Sequence, residues 1–127
     1  MPTKSPLPAF ERIVATMPAR KKDWAALKEE KAEFGDYVLA QAVAGLALDE
    51  IVAGHQTAHD VAQAFEQEYA RSSIEEKEVI RIGIFEEMCV LLRAMWADKN
   101  LYEEKKAVVF RFLGPQAKRC FEAWEQK

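Results

Sequence analysis

Residues 36–54 read DYVLAQAVAGLALDEIVAG, and this stretch decides the fold class of the chain. Alanine and glycine surround a few large apolar side chains, so a helix of this sequence is small or apolar on nearly every side. Such a helix packs closely against neighbouring helices. Asp36 can cap its N-terminus, and Gly54 can cap its C-terminus. We therefore predict a central helix over residues 36–53, with other helices packed around it.

The N-terminal segment predicts two helices before the central one. Pro8 suits the first turn of a helix, and Pro18 ends that helix. Its apolar positions recur at helical spacing, at Phe10, Ile13, Val14 and Met17. A second helix is predicted from near Asp23, and Gly35 separates it from the central helix. If that break were a kink instead, the second and third helices would form one bent rod.

Capping signals divide the C-terminal part into four more helices. Their predicted starts are marked by Thr57, Ser73, Asn100 and Pro115. Glu76 follows Ser73 by three residues, which is the capping-box pattern, and opens the longest helix, residues 74–98. Gly83 inside that helix costs about 1 kcal/mol relative to alanine. This cost indicates that another helix crosses closely at Gly83.

Strand signals are poor in comparison. The chain has no Asn-Gly or Asp-Gly hairpin turn and no sustained alternation of polar and apolar residues. Its 127 residues suit one domain, and the predicted connections are as short as those between antiparallel helices. The sequence therefore predicts a single all-α domain over residues 1–127, a compact bundle of six or seven helices.

Charge is distributed unevenly along the chain. Residues 36–98 carry four basic and twelve acidic side chains, a local balance of −8, whereas both flanking segments are mildly basic. A concentrated negative field steers a basic partner toward a protein. Basic clusters at residues 20–22 and 118–119 are small, and a nucleic-acid binder shows a larger basic footprint. We expect a protein partner and no nucleic acid.

No set of residues predicts catalysis. The chain lacks a Gly-rich phosphate loop, a Gly-x-Ser-x-Gly elbow and a Cys-x-x-Cys pair. Cys89 and Cys120 occupy apolar positions of helical patterns, which favours buried free thiols over a disulfide. We therefore predict that the protein is not an enzyme, assign no catalytic residue and expect no cofactor.

The two histidines are a candidate metal site. His55 and His59 are four residues apart, a spacing that places two ligands on one face of a helix. Thr57, however, would cap the helix between them and leave His55 outside it. No cysteine lies nearby, and the His-Glu-x-x-His pattern is absent. We therefore predict an exposed histidine pair and no metal.

The location of the protein is predicted from two absences. No stretch approaches the roughly 18 apolar residues that span a bilayer. The first apolar run is interrupted by Glu11 and Arg12, unlike the unbroken core of a secretion signal. These features favour a cytoplasmic protein that does not contact a membrane.

Two C-terminal segments, RIGIFEEM at residues 81–88 and FLGPQAKRCFEAW at residues 112–124, resemble a family of small bacterial all-α proteins of unknown function. Some members of that family look like immunity proteins, which neutralise toxins by binding them. The resemblance implies a cytoplasmic, non-enzymatic protein whose partner is a toxin, and the acidic middle of the chain would suit a basic one. Residues 1–50 do not contribute to it, and it assigns no role to a single residue.

The charge distribution and the resemblance lead to one hypothesis. The protein would be a small helical binding protein, an immunity-type inhibitor that binds a basic partner protein through an acidic central face. The residues assigned to that face are Glu66, Glu68, Glu75, Glu76, Glu78, Glu86 and Glu87.

Two alternatives stay open. The first is a structural or regulatory homo-oligomer, in which residues 37–48 or part of the long helix form a symmetric helix–helix dimer. The second is a small enzyme or ligand carrier with a pocket between helices. The residues expected to line that pocket are Trp96, Trp124, Met88 and Cys89.

Overall fold

The computed structural model describes residues 5–54 and 56–126, and every regular element in them is helical. Within these residues, seven helices follow one another along the chain. They are α1 (Leu7–Ala15), α2 (Lys21–Lys31), α3 (Asp36–Ala53), α4 (Thr57–Arg71), α5 (from Ile74 to Met95), α6 (Lys99–Phe110) and α7 (Pro115–Glu125). The predicted all-α class is confirmed, and the second and third helices are separate.

The central helix is α3, as predicted. It contacts α1, α2, α4, α5 and α6. Its buried residues lie on several sides, at Leu39, Ala40, Val43, Ala44, Leu46, Ala47, Leu48, Glu50 and Ile51. The small side chains among them allow neighbouring helices to approach closely. Most of residues 37–48, one predicted dimer surface, is therefore inside the monomer.

Side chains from all seven helices meet in one hydrophobic core. Its largest fully buried members include Phe10 of α1, Phe65 of α4, Phe85 of α5 and Phe121 of α7. Burying a side chain of this size contributes about 1.5–3 kcal/mol, so residues from distant segments hold the bundle together. None of the helices in the described part of the chain is long and apolar enough to cross a lipid bilayer.

The joints on either side of α2 follow the punctuation of the sequence. A 3₁₀ turn, Pro18–Arg20, leads into α2, which begins at Lys21 rather than near Asp23. A second 3₁₀ turn, Ala32–Phe34, ends at Gly35. Gly35 has a φ of +95°, a conformation that favours glycine, and it redirects the chain into α3. The predicted break between α2 and α3 is confirmed.

The long helix α5 consists of three consecutive segments, Ile74–Ile80, a π-helical turn Arg81–Glu86, and Glu87–Met95. Gly83 lies in the π-helical turn, and a Cβ placed there would be 2.5 Å from the Cβ of Ala40 on α3. This distance is too short for any other residue without a shift of one helix. The predicted close crossing at Gly83 is therefore confirmed.

Three of the predicted helix caps are wrong. The N-cap position of α3 is Gly35, and Asp36 is the first residue of the helix and does not cap it. The α4 helix begins at Thr57, but the Thr57 hydroxyl donates to Oε2 of Glu50 at 2.6 Å and does not cap the helix. At α6 the capping side chain is Asp98, which accepts a hydrogen bond from the backbone N–H of Leu101 at 3.0 Å, and Asn100 lies inside the helix. Thr57 therefore bonds to α3 rather than to its own helix, and Asp98 takes the capping position two residues before Asn100.

The capping box at the start of α5 is confirmed. The Ser73 hydroxyl accepts from the backbone N–H of Glu76 at 3.2 Å, and the Glu76 carboxylate accepts from the backbone N–H of Ser73 at 2.9 Å. The pair satisfies two N–H groups that a helix start otherwise leaves without partners.

A buried carboxylate ties the segment after α1 to α3. Glu50 accepts from Nε of Arg20 at 2.7 Å and from the Thr57 hydroxyl, so it connects three segments of the chain. A buried carboxylate is tolerated because both of its oxygens have donors.

A second carboxylate, Glu11, connects α1 to α2. It accepts from the indole N–H of Trp24 at 2.9 Å and from Nζ of Lys28 at 2.6 Å. The hydrogen bond from Lys28 lowers the pKa of the Glu11 carboxyl, against a smaller opposing effect of burial.

Candidate functional site

Glu66, the first residue of the predicted acidic face, holds the start of α7. Its carboxylate accepts from the backbone N–H groups of Gln116 at 2.9 Å and Ala117 at 3.3 Å. A Cβ on Gly114 would overlap Cγ and Cδ of Glu66, so glycine makes room for this contact. Glu66 therefore acts as a cap supplied by another helix. Sequence reasoning missed this role because the two partners are far apart in the chain.

Glu68 and Glu76 also have structural contacts. Glu68 is 3% exposed and accepts from Arg12 of α1 at 2.8 Å, with Arg71 at 3.7 Å. Glu76 completes the capping box with Ser73. Glu66 faces α7 whereas Glu68 faces α1, so these two predicted contact residues lie on different sides of α4 and do not belong to one face.

The remaining predicted residues are on α5. Glu86 accepts from Arg81 at 2.9 Å, and Glu78 lies 3.8 Å from the same guanidinium. Arg81 and Glu86 are the first and last residues of the π-helical turn, so their ion pair spans it. Glu75 is exposed and Glu87 is half-buried. Desolvation by burial raises the pKa of the Glu87 carboxyl.

Exposed apolar side chains accompany these carboxylates. On α5, Ile82 is 36% exposed and Val90 is 45% exposed. Glu75, Glu78, Ile82, Glu87 and Val90 are spaced three to five residues apart through the π-helical turn, so they follow one side of α5.

Two exposed aromatic residues lie at the start of α3, Phe34 just before the helix and Tyr37 in its first turn. Phe34 is 63% exposed and Tyr37 is 43% exposed. The Tyr37 carbonyl oxygen would lie 3.6 Å from a Cβ on Gly83, the neighbour of Ile82. We use the name crossing face for the following exposed or half-buried residues of α5 and of the start of α3: Phe34, Tyr37, Glu75, Glu78, Ile82, Glu87 and Val90. The sequence places Tyr37 at the edge of one predicted dimer surface, residues 37–48, and does not single out Phe34.

A groove lies where α4, α5 and α7 meet. Its volume is about 280 Å³, and we name it the α7 groove. Its lining residues are Tyr69, Arg81, Glu86, Gln116, Arg119, Cys120, Ala123 and Trp124. Of the four residues predicted to line a pocket, Trp124 is here, but Met88 and Cys89 are fully buried in the core. The ring of Trp96 lies 5.6 Å from Nζ of Lys105.

Both cysteines are free, as predicted. Cys89 is buried and its Sγ lies 3.3 Å from the carbonyl oxygen of Phe85, whereas Cys120 is half-buried. Burial raises the pKa of both thiols. A thiol with a raised pKa stays protonated at neutral pH and is a weak nucleophile.

Of the predicted histidine pair, the structure describes only His59. The ring of His59 packs edge-on against Phe112 with centroids 4.6 Å apart, and His55 lies outside the described residues. Within residues 5–54 and 56–126, no group of three or more His, Cys, Asp or Glu side chains could hold a metal ion.

Comparisons with protein-family models, with curated proteins and with solved structures gave no significant match to this chain. The family resemblance inferred from residues 81–88 and 112–124 therefore stays a prediction. In the fold the two segments pack against each other, since α7 contacts the π-helical turn of α5.

Proposed function

We propose that this protein is a non-enzymatic helical binding protein that binds a basic partner protein through the crossing face, as an immunity-type inhibitor would. The observation that supports this proposal is the set of exposed apolar side chains: Ile82 and Val90 lie among carboxylates on α5, and Phe34 and Tyr37 lie at the start of α3, where the Tyr37 backbone is close to Gly83 of α5. Protein interfaces combine such an apolar centre with a polar rim.

The aromatic residues would supply most of the binding free energy. Truncating a buried aromatic anchor in an interface costs about 2 kcal/mol or more. Phe34 and Tyr37 are exposed in this structure, and they are three residues apart on either side of the Gly35 joint. They would fill pockets on the partner.

The carboxylates would supply the selectivity for a basic partner. The crossing face contains three carboxylates, Glu75, Glu78 and Glu87, with a summed charge of −3. Arg81 lies 3.8 Å from Glu78, but its charge is offset by Glu86 at 2.9 Å. This charge is far smaller than the −8 of residues 36–98, because other acidic residues have internal partners. Charged rims chiefly raise the association rate and make binding salt-dependent.

The experiment is capture from a native lysate by the tagged protein, at low and at moderate salt, with two charge-reversed variants. The first carries Glu75→Lys, Glu78→Lys and Glu87→Lys. The control carries Asp49→Lys, Glu104→Lys and Glu122→Lys, which are exposed elsewhere and change the net charge equally. Circular dichroism would show that both variants fold.

We expect the wild type and the control to retain one basic protein at low salt, and the first variant to lose it. A partner that both variants lose equally would indicate a general effect of net charge and would contradict the proposal. Replacing Phe34 and Tyr37 by alanine should also abolish capture at both salt concentrations.

A homodimer through the same face is the second candidate. It is favoured by the exposed Ile82 and Val90 on one side of α5. Sedimentation velocity at several protein concentrations would show a dimer that Ile82→Asp dissociates. Recovery of this protein alone from the lysate would support the dimer over the inhibitor.

A further inference from the structure

The α7 groove has a composition that suits a ligand different from the partner of the crossing face. We infer that this groove binds a small planar aromatic carboxylate. The inference depends on the charge, the aromatic walls and the size of the groove, and it does not require the proposed protein binding.

Of the charged side chains that line the groove, one cation has no carboxylate partner among the described residues and could bind an anionic ligand. The guanidinium of Arg81 donates to Glu86 at 2.9 Å and lies 3.8 Å from Glu78, so its charge is offset within α5. Arg119 is exposed on α7 and forms no ion pair with any residue that the structure describes. A guanidinium presents a planar fork that matches the two oxygens of a carboxylate. An anionic ligand is therefore favoured over a cationic one.

Aromatic side chains flank the same space. Phe85 supports the ring of Tyr69 with the centroids 5.9 Å apart, and Trp124 lines the groove from α7. Flat rings stack favourably on aromatic side chains. These walls favour a planar aromatic ligand over a flexible aliphatic one.

The rest of the lining accommodates an anion without repelling it. Cys120 and Ala123 are small, and burial keeps the Cys120 thiol protonated because it raises its pKa. The backbone N–H of Gln116 is occupied by Glu66, but Gln116 lines the groove and its side-chain amide is a further donor that a carboxylate could accept from.

The size of the groove limits the ligand. Its volume of about 280 Å³ is at the lower end of the range for small-molecule sites. A two-ring compound fits this volume, whereas a nucleotide would extend beyond the lining residues.

The test is a titration of the full chain with three naphthalene probes that differ in charge. The probes are 1-naphthoate, 1-naphthol and 1-naphthylmethylammonium. The indole N–H signals of Trp24, Trp96 and Trp124 in a nitrogen-15 spectrum report on separate regions, and Trp124→Phe assigns the signal of the groove. We expect naphthoate to shift the Trp124 signal saturably, with about tenfold weaker binding of the other two probes.

Two variants separate recognition by Arg119 from adsorption to an apolar surface. Arg119→Gln should weaken naphthoate binding about tenfold and leave naphthol binding unchanged, because a charge-assisted pair is lost. Arg111→Gln removes an exposed arginine outside the groove lining and should have no effect. Three results would each overturn the inference. They are equal binding of the three probes, the absence of a saturable shift of the Trp124 signal, and naphthoate binding that is unchanged in Arg119→Gln.

Discussion

Glu50 on α3 and Glu68 on α4 are buried and bind arginines of the N-terminal segment, whereas Glu75 and Glu78 on α5 are on the surface. All four come from the same acidic stretch of sequence. The difference depends on what packs opposite each helix. Arg12 and Arg20 face α4 and α3, whereas no helix within residues 5–54 and 56–126 covers Glu75 and Glu78. The density of acidic residues along a chain therefore does not determine the charge of a surface.

Two other carboxylates, Glu11 and Glu87, differ in the direction of their pKa shifts. Glu11 has hydrogen-bond donors from α2, and the Lys28 contact lowers its pKa. Glu87 is half-buried, and desolvation raises its pKa. One carboxylate thus stabilises the fold when ionised, and the other destabilises it.

The largest expected effect on stability concerns Glu50, one of the two buried carboxylates. Glu50→Ala leaves Arg20 and Thr57 without their acceptor, and we expect a loss of about 3 kcal/mol of unfolding free energy. The exposed neighbour Asp49→Ala should cost less than about 0.5 kcal/mol. Urea denaturation measures both. Equal effects would show that burial does not distinguish the two carboxylates.

The next effect concerns the carboxylate that caps α7. We expect Glu66→Ala to cost about 1–2 kcal/mol, as the loss of a helix cap does. Amide hydrogen exchange should accelerate at Gln116 and Ala117, which lose their acceptor. The exposed neighbour Gln67→Ala is the control and should change neither quantity. Unchanged exchange at both amides would argue against a capping role.

A smaller effect follows from the two titrating carboxylates. Both start from an ordinary pKa of 4.5, and the folded-state value is lower for Glu11 and higher for Glu87. The contribution of Glu11 is present above 4.5 and is lost as the pH falls through its folded pKa. The penalty from Glu87 appears as the pH rises above 4.5.

Replacing each carboxylate by glutamine should therefore act in opposite directions at neutral pH. Glu11→Gln should lower the unfolding free energy at pH 7, and Glu87→Gln should raise it. Both differences should vanish in strong acid, which denaturant titrations across the acid range would show. If both substitutions changed the unfolding free energy in the same direction, the opposite pKa shifts of Glu11 and Glu87 would be contradicted.

The smallest expected effect concerns the exposed carboxylates of α5. Glu75→Gln and Glu78→Gln should each change the unfolding free energy by less than about 0.5 kcal/mol. The same variants should slow the association with a basic partner. A large loss of stability would show that these residues belong with the buried group after all.

The parts of the fold that local chemistry determines could be predicted. The bounds of α3, the Gly35 joint, the Ser73–Glu76 capping box and the Pro115 start all depend on residues close together in sequence. The close crossing at Gly83 was also predicted, since glycine inside a long helix requires a packing reason.

The parts that depend on distant partners could not be predicted. Thr57 is a residue type that often caps helices, but its hydroxyl donates a hydrogen bond to Glu50 of α3 instead. The predicted acidic face included Glu66 and Glu68 because their partners, the start of α7 and Arg12, cannot be identified from spacing alone. Helix packing decides which carboxylates stay exposed, and periodicity does not specify the packing angles.

The cap that Glu66 supplies has a consequence for the order of folding. The N-terminus of α7 finds its acceptor 50 residues earlier in the chain. A loop must therefore close before α7 gains this stabilisation, and loop closure slows the formation of such contacts. A peptide of residues 112–126 lacks the acceptor and should be largely unstructured in water. The last helix of the chain thus depends on α4 being in place and should be among the last elements to form.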